Sequence, residues 1–288
     1  MMNLGVGLGG LAGGLIATTD APGTFTILFL VDAATFLVFL TALGFVPEPA
    51  RAECGGAGAP GRYADVFRNR AFVAVLVLNF VFITAGMAQI ESFSVYAKNE
   101  AAVSEAGIGL LWFLNTIVIV LAQLPIAKGL EGRRRMPALA LLGVVWAFAW
   151  ALVPLGGALL GGAAAFAAFV IVFVVFGLGE CLHGAIQAPL VVDLADPRLI
   201  GRYMALSALS WGVGFTLGPM LGGFALEAAP HALWLAAAGV CLLAGAAALV
   251  LERALPPTIR RTPRTPVIVA LAAGEPRPAA GVAARPSS

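Results

Sequence analysis

Residues 211–224 read WGVGFTLGPMLGGF, Trp211 to Phe224, a stretch apolar and long enough for a buried helix yet carrying five glycines and a proline. An interior glycine costs a helix about 1 kcal/mol and a proline about 3 kcal/mol. A helix that keeps them must recover more from its surroundings than it loses. Glycines four apart, here Gly214, Gly218 and Gly222, line one face and let a neighbouring backbone approach closely, the small-residue contact that holds helices together in lipid. Pro219 adds a bend, which a membrane helix tolerates because neighbours re-satisfy the freed carbonyl. The stretch therefore reads as a bent membrane helix sealed against a partner.

The rest of the chain agrees. Of the 288 residues 60% are hydrophobic and 11% charged, against roughly 25% charged in a soluble domain. Apolar runs of about twenty residues, enough to cross a ~30 Å hydrocarbon layer as helix, recur at 4–17, 24–46, 71–92, 107–127, 137–155, 163–190, 203–226 and 232–250. Such runs are too long for buried strands of five or six residues. The expected fold class is an all-α polytopic membrane protein with eight spans.

Alternating these spans collects Arg51, Arg62, Arg68, Arg70, Lys128, Arg133, Arg134, Arg135, Arg198, Arg202, Arg253, Arg260, Arg261, Arg264, Arg277 and Arg285 on one face, sixteen of the 17 basic residues, and leaves only Lys98 on the other. By the positive-inside rule that face is cytoplasmic, and the C-terminus with it. The net charge of +2 then reports topology, and no nucleic-acid partner is expected. Cys181 and Cys241 fall inside spans and Cys54 in a loop, a distribution that predicts neither a disulfide nor a metal site. Trp112, Trp146, Trp150, Trp211 and Trp234 lie mostly near span ends, the place of headgroup anchors.

The opening motif occurs twice. Residues 5–14, GVGLGGLAGG, align without gaps with 214–223, GFTLGPMLGG, pairing Gly5 with Gly214, Gly9 with Gly218, Gly13 with Gly222 and Gly14 with Gly223. Internal repeats are the usual construction of secondary transporters. GVGLGG also fits G-x-G-x-x-G, but only four residues precede it, too few for the strand a dinucleotide fold requires.

Residues 214–223 resemble the antiporter signature g-x-x-x-G-P-x-x-G-G of the major facilitator superfamily, found in the fifth span of drug:proton antiporters and echoed in the eleventh. Residues 5–14 match except at Gly10, where proline is expected. Residues 125–134, PIAKGLEGRR, resemble a weakened form of that family's cytoplasmic loop G-x-x-x-D-R-x-G-R-R, with Gly132, Arg133 and Arg134 in register and Gly129 and Leu130 in place of Asp and Arg. The resemblance implies spans five to twelve of a twelve-span transporter: residues 1–46 as the last two helices of an N-terminal bundle, 47–70 as a cytoplasmic linker, 71–252 as a complete C-terminal six-helix bundle, and 253–288 as a disordered cytoplasmic tail. It also implies proton-coupled export of small organic molecules, with the bilayer, the substrate and protons as partners and no cofactor, from a chain truncated at its N-terminus. The alternatives are a membrane fragment without transport activity and a partner subunit that completes its bundle with another chain. Abundant Ala, Gly and Arg with only two Lys point to a high-GC bacterium, hence an inner membrane. No nucleophile–base pair, phosphate loop or ligand cluster is visible, so no enzyme is expected.

Ionisable groups inside spans mark function by default. Glu180, His183 and Gln187 in GLGECLHGAIQAP share one helix face and suit proton holding, or equally a structural tie to a neighbouring helix. Asn115 and Gln123 share a face of another span, Gln89 and Glu91 sit near the outer end of theirs, and Asp32 lies within the second. These are the further coupling or substrate candidates, against the simpler reading that buried amides knit helices. In DLADPRLIGRY, 193–203, Asp196 is expected to cap and Pro197 to open the next helix, with Arg198 and Arg202 pairing with Asp193 or Asp196 as a gate or a topology marker.

Overall fold

The computed structural model describes residues 2–18, 20–45 and 62–263. The named elements in chain order are α1 (Met2–Ile16), α2 (Gly23–Leu43), α3 (Tyr63–Phe67), α4 (Arg70–Val81), a π-helical turn (Phe82–Met87), α5 (Gln89–Ala101), α6 (Glu105–Gly129), α7 (Arg135–Leu159), α8 (Gly162–Leu194), α9 (Ile200–Ala228), α10 (Pro230–Leu251) and a closing 3₁₀ turn (Glu252–Ala254). Among the described residues seven helices are long and apolar enough to cross a membrane, counting Arg70–Ala101 as one. The protein is an all-α polytopic membrane protein.

The expected eighth span differs. Helix α1 has 15 residues, about 22 Å at 1.5 Å per residue, short of the ~30 Å hydrocarbon layer. It packs lengthwise on α6, through a glycine face other than the one the repeat suggests. A Cβ on Gly14 would lie 2.6 Å from the Glu105 carbonyl oxygen and one on Gly10 3.0 Å from Trp112 Cβ, while Gly7 presses on Thr116; Gly5, Gly9 and Gly13 face open space. The second copy behaves as expected. On α9, Gly214, Gly218 and Gly222 are buried against Ile83 of the π turn, Ala88 at its junction with α5 and Ser92 of α5, while Gly223 is open. Gapless alignment preserves residue types but not the partner, and the partner selects the face.

Helices α7, α8 and α10 form the packed centre, with α6 against α8. Gly143 and Gly245 let α7 and α10 cross closely: a Cβ on Gly143 would sit 2.5 Å from the Cys241 carbonyl oxygen. Around this crossing Trp146, Trp150 and Trp234 are fully buried, Trp150 and Trp234 with ring centroids 5.3 Å apart and Phe93 edge-on to Phe169 at 4.9 Å. These three tryptophans are therefore core residues, a correction to the headgroup-anchor expectation. Large aromatic volume fills the space that glycine crossings leave between helices.

Asn69 joins three helices. Its Oδ1 accepts from Phe72 N at 3.1 Å as the cap of α4, and its Nδ2 donates to the Leu194 carbonyl at 3.0 Å and to the Tyr203 hydroxyl at 3.3 Å. The linker expected over 47–70 is thus folded from residue 62 onward: α3 forms, Arg62 N donates to Asp65 Oδ2 at 2.8 Å, and Val66 is buried. Residues 47–61 lie outside the described residues.

The tail expected to be disordered over 253–288 is likewise folded up to residue 263, and 264–288 lie outside the described residues. Leu255 is buried, and the chain returns to pair Arg261 with Arg134 across an antiparallel bridge. Gly132 N donates to the Thr262 carbonyl and Thr262 N to that of Arg133, both at 3.0 Å. Gly132 adopts φ 72°, a left-handed conformation natural to glycine, which turns the α6–α7 loop toward this strap.

Candidate functional site

A cavity of about 300 Å³ opens between α5, α6, α8 and α9. Of the sequence candidates it gathers Glu180 and His183 from α8, Asn115 and Gln123 from α6, and Glu91 from α5, with Trp112, Trp211 and Phe215 as aromatic walls. Residues on four helices, far apart in the chain, thus share one chamber.

Glu180 is its anchor. Asn115 Nδ2 donates to Glu180 Oε2 at 2.7 Å. The absence of a side chain at Gly177, one turn earlier, makes this possible, since a Cβ there would come within 2.6 Å of Asn115 Oδ1. That Oδ1 is buried and accepts no hydrogen bond among the described residues, so the amide presents a free acceptor beside the carboxyl. A carboxyl held on a membrane helix with one oxygen bonded and the other available can exchange a proton or meet a cation.

His183 lies on the same wall but belongs to a second network. Its Nε2 is 2.9 Å from Asn79 Oδ1, Asn79 Nδ2 donates to Ser210 Oγ at 2.9 Å, and Ser210 Oγ donates to the Ser207 carbonyl at 2.8 Å. Because the Asn79 amide donates onward to Ser210, its oxygen is the acceptor and the imidazole carries its proton on Nε2. The ring sits between Trp146 and Trp211, at centroid distances of 5.8 and 5.5 Å. The network ties α4, α8 and α9 together behind the cavity. Asn79 and Ser210 were not singled out from the sequence; an asparagine within the apolar run VLNFVF was the available signal.

The other candidates lie elsewhere. Gln187 is buried away from the cavity, with its Nε2 unpaired among the described residues. Gln89 is buried and structural: its Nε2 donates to the carbonyls of Thr84 and Gly218, both at 3.0 Å. It thereby fastens the π turn to α9. Asp32 sits on α2, none of whose residues is buried, and its carboxylate makes no hydrogen bond among the described residues.

At the basic end the expected pairings are replaced. Asp193 Oδ2 accepts from Arg135 Nη2 at 2.5 Å, Arg134 pairs with Glu252 at 2.6 Å, and Arg133 Nε bonds the Gly129 carbonyl at 2.9 Å. Among the described residues Arg198 bonds through its backbone only, N to Asp196 Oδ1 at 2.9 Å, and the Arg202 guanidinium lies 5.7 Å from the Tyr63 ring centroid. Asp196 and Pro197 form a turn, and α9 begins at Ile200. Arg135, absent from the sequence candidates, is fully buried. Removing one partner of a buried ion pair leaves the other uncompensated, so Asp193→Asn is expected to destabilise the protein by about 3 kcal/mol, the low end for such pairs, because Asp193 keeps 32% of its side-chain surface open. Thermal unfolding in detergent measures this, and an unchanged midpoint would show that the pair contributes nothing.

A bundle of membrane-length helices around a polar, partly open chamber is the architecture of a secondary transporter. The family model described as Major Facilitator Superfamily matches residues 92–284, more than half of the chain. The chain belongs to the major facilitator superfamily and is a multi-pass membrane transporter of that type. No curated protein matches it.

Proposed function

We propose that the protein exports small organic molecules from a bacterial cell across the inner membrane in exchange for protons, by alternating access, with its C-terminus cytoplasmic. The observation that carries this reading is the Glu180–Asn115 pair, at 2.7 Å, in a chamber walled by Trp112, Trp211 and Phe215. The carboxyl supplies a proton-exchanging group, and the aromatic walls suit lipophilic molecules. The gathering of Arg and Lys at one end supports the orientation, and the antiporter-like α9 supports export. In this reading α1 and α2 are the last helices of an N-terminal bundle, 71–252 the C-terminal bundle, and His183, Gln123 and Glu91 line the path. The strap, Gly132, Arg133, Arg134 and the Asp193–Arg135 pair hold the cytoplasmic closure.

The alternative, a subunit that works only with a partner chain or a fragment that carries nothing, is favoured by α2, none of whose residues is buried. Reconstituted proteoliposomes separate the two. With an imposed proton gradient, protein-dependent and protonophore-sensitive movement of Nile red, which is neutral, or of ethidium, which is cationic, is expected. Absence of flux for both would favour the alternative.

A further inference from the structure

A groove of about 740 Å³ opens between α4 and α10, which pack on each other. The small Ala74, Ala244 and Ala247 leave the space, and the larger Val77, Leu243 and Val250 stand exposed along it. No lining residue is polar. On α10 the lining runs from Val240, near the middle of the helix, to Leu251 at its basic end. That is about 16 Å at 1.5 Å per residue, close to half of the ~30 Å hydrocarbon layer and thus to the depth of one leaflet.

The groove ends among arginines. Arg70 opens α4 one turn before Ala74 and shares its face, because residues four apart on a helix lie one above the other. Arg253 follows Leu251 by two residues, and Arg260 Nη2 donates to the Arg253 carbonyl at 3.2 Å, which brings a third guanidinium to that edge. Arg70 and Arg253 are exposed, and their guanidinium groups have no hydrogen bond or ion pair among the described residues. The acidic residues closest to them in the chain are already engaged: Asp65 Oδ2 accepts from Arg62 N at 2.8 Å, and Glu252 is buried and paired with Arg134. The first turn of α4 adds the positive end of its dipole. Positive charge at headgroup level, joined to a dry groove one leaflet deep, is complementary to an anionic lipid.

We propose that the groove between α4 and α10 is a binding site for an anionic diacyl phospholipid, its phosphate held by Arg70 and Arg253 and one acyl chain seated against Ala74 and Ala247. A zwitterionic lipid offers the same chain but offsets its phosphate with a cation of its own, so the arginines select the anionic headgroup. Occupancy needs neither a transported molecule nor a proton gradient, and the site therefore stands or falls apart from the exporter reading.

The test uses the full chain in detergent with equal amounts of dioleoyl-phosphatidylglycerol and deuterated dioleoyl-phosphatidylcholine, the label separating the two adducts in native mass spectrometry. The phosphatidylglycerol adduct is expected to exceed the phosphatidylcholine one by about tenfold, since each arginine near the surface adds to the attraction for an anionic lipid. The Arg70→Gln/Arg253→Gln double variant, at two exposed positions, is expected to bring that ratio close to one. Ala247→Trp, which fills the groove and leaves every arginine in place, is expected to lower the phosphatidylglycerol adduct as strongly. Arg198→Gln, exposed at the same end but outside the groove lining, is expected to keep the preference. Equal adducts in the unaltered protein, an unchanged preference in the double variant, or an equal loss in Arg198→Gln would overturn the proposal. So would an Ala247→Trp variant that retains the lipid and changes its oligomeric state, which would give the groove to a second copy of the chain.

Discussion

Replacing Glu180 with glutamine is expected to reduce proton-driven accumulation of substrate by on the order of a hundredfold, the lower end of what one positioned proton-transfer group contributes, while the amount of folded protein in the membrane stays the same. The variant isolates the proton because it keeps the geometry. The Asn115 Nδ2 that donates to Glu180 Oε2 at 2.7 Å can donate equally to the glutamine carbonyl, so the α6–α8 contact survives. A glutamine cannot release a proton between one face of the membrane and the other. Downhill movement at saturating substrate should therefore persist while uphill accumulation is lost. Accumulation and downhill flux are measured in the same proteoliposomes with and without a proton gradient. Full accumulation in Glu180→Gln would remove this residue from coupling and leave it a structural tie between helices.

The second large effect concerns the glycines of α9. Gly218→Leu is expected to prevent a folded protein from accumulating, whereas Gly223→Leu is expected to leave folding intact. The difference is one of space. A Cβ at position 218 would come within 2.5 Å of the Ala88 Cβ and 3.0 Å of the Thr84 carbonyl oxygen, and one at 223 meets nothing within 4 Å. Overpacking a well-filled interface costs about 1–3 kcal/mol and occasionally more. Here the wedge would also part Gln89 Nε2 from the Gly218 carbonyl, which it meets at 3.0 Å, and so remove a buried hydrogen bond between α5 and α9. The same experiment on the first copy discriminates between faces: Gly14→Leu, against the Glu105 carbonyl and Gly109, should fail, and Gly9→Leu, facing open space, should fold. Size-exclusion profiles of the four variants read this directly. A well-behaved Gly218→Leu would mean that α9 and α5 can separate without loss, contrary to the packing described.

The candidate site was partly legible. Glu180, His183, Asn115, Gln123 and Glu91 were visible as rare polar residues in apolar runs, and all five line one chamber. Polar groups are costly in a span and persist where protein or a cavity receives them. The runs do not reveal which polar residue meets which. Gln89 and Glu91 differ by two positions and had the same reading, yet one is buried in a helix contact and the other lines the chamber. Arg135 looked like another loop arginine beside Arg133 and Arg134, and it is the one that folds inward to Asp193.

By itself, the sequence determined the class, the number of long spans to within one, and the segregation of Arg and Lys to one end, because these depend on run length and composition, which solvation by lipid reads residue by residue. Only the tertiary structure decided the facing of each helix: Gly7, Gly10 and Gly14 inward on α1 in place of Gly5, Gly9 and Gly13, and Trp146, Trp150 and Trp234 in the core. A helix apolar all round has no polar face from which to read its inner side, and helices in lipid choose partners by close packing. That choice is a property of two surfaces together, which no single run of residues carries.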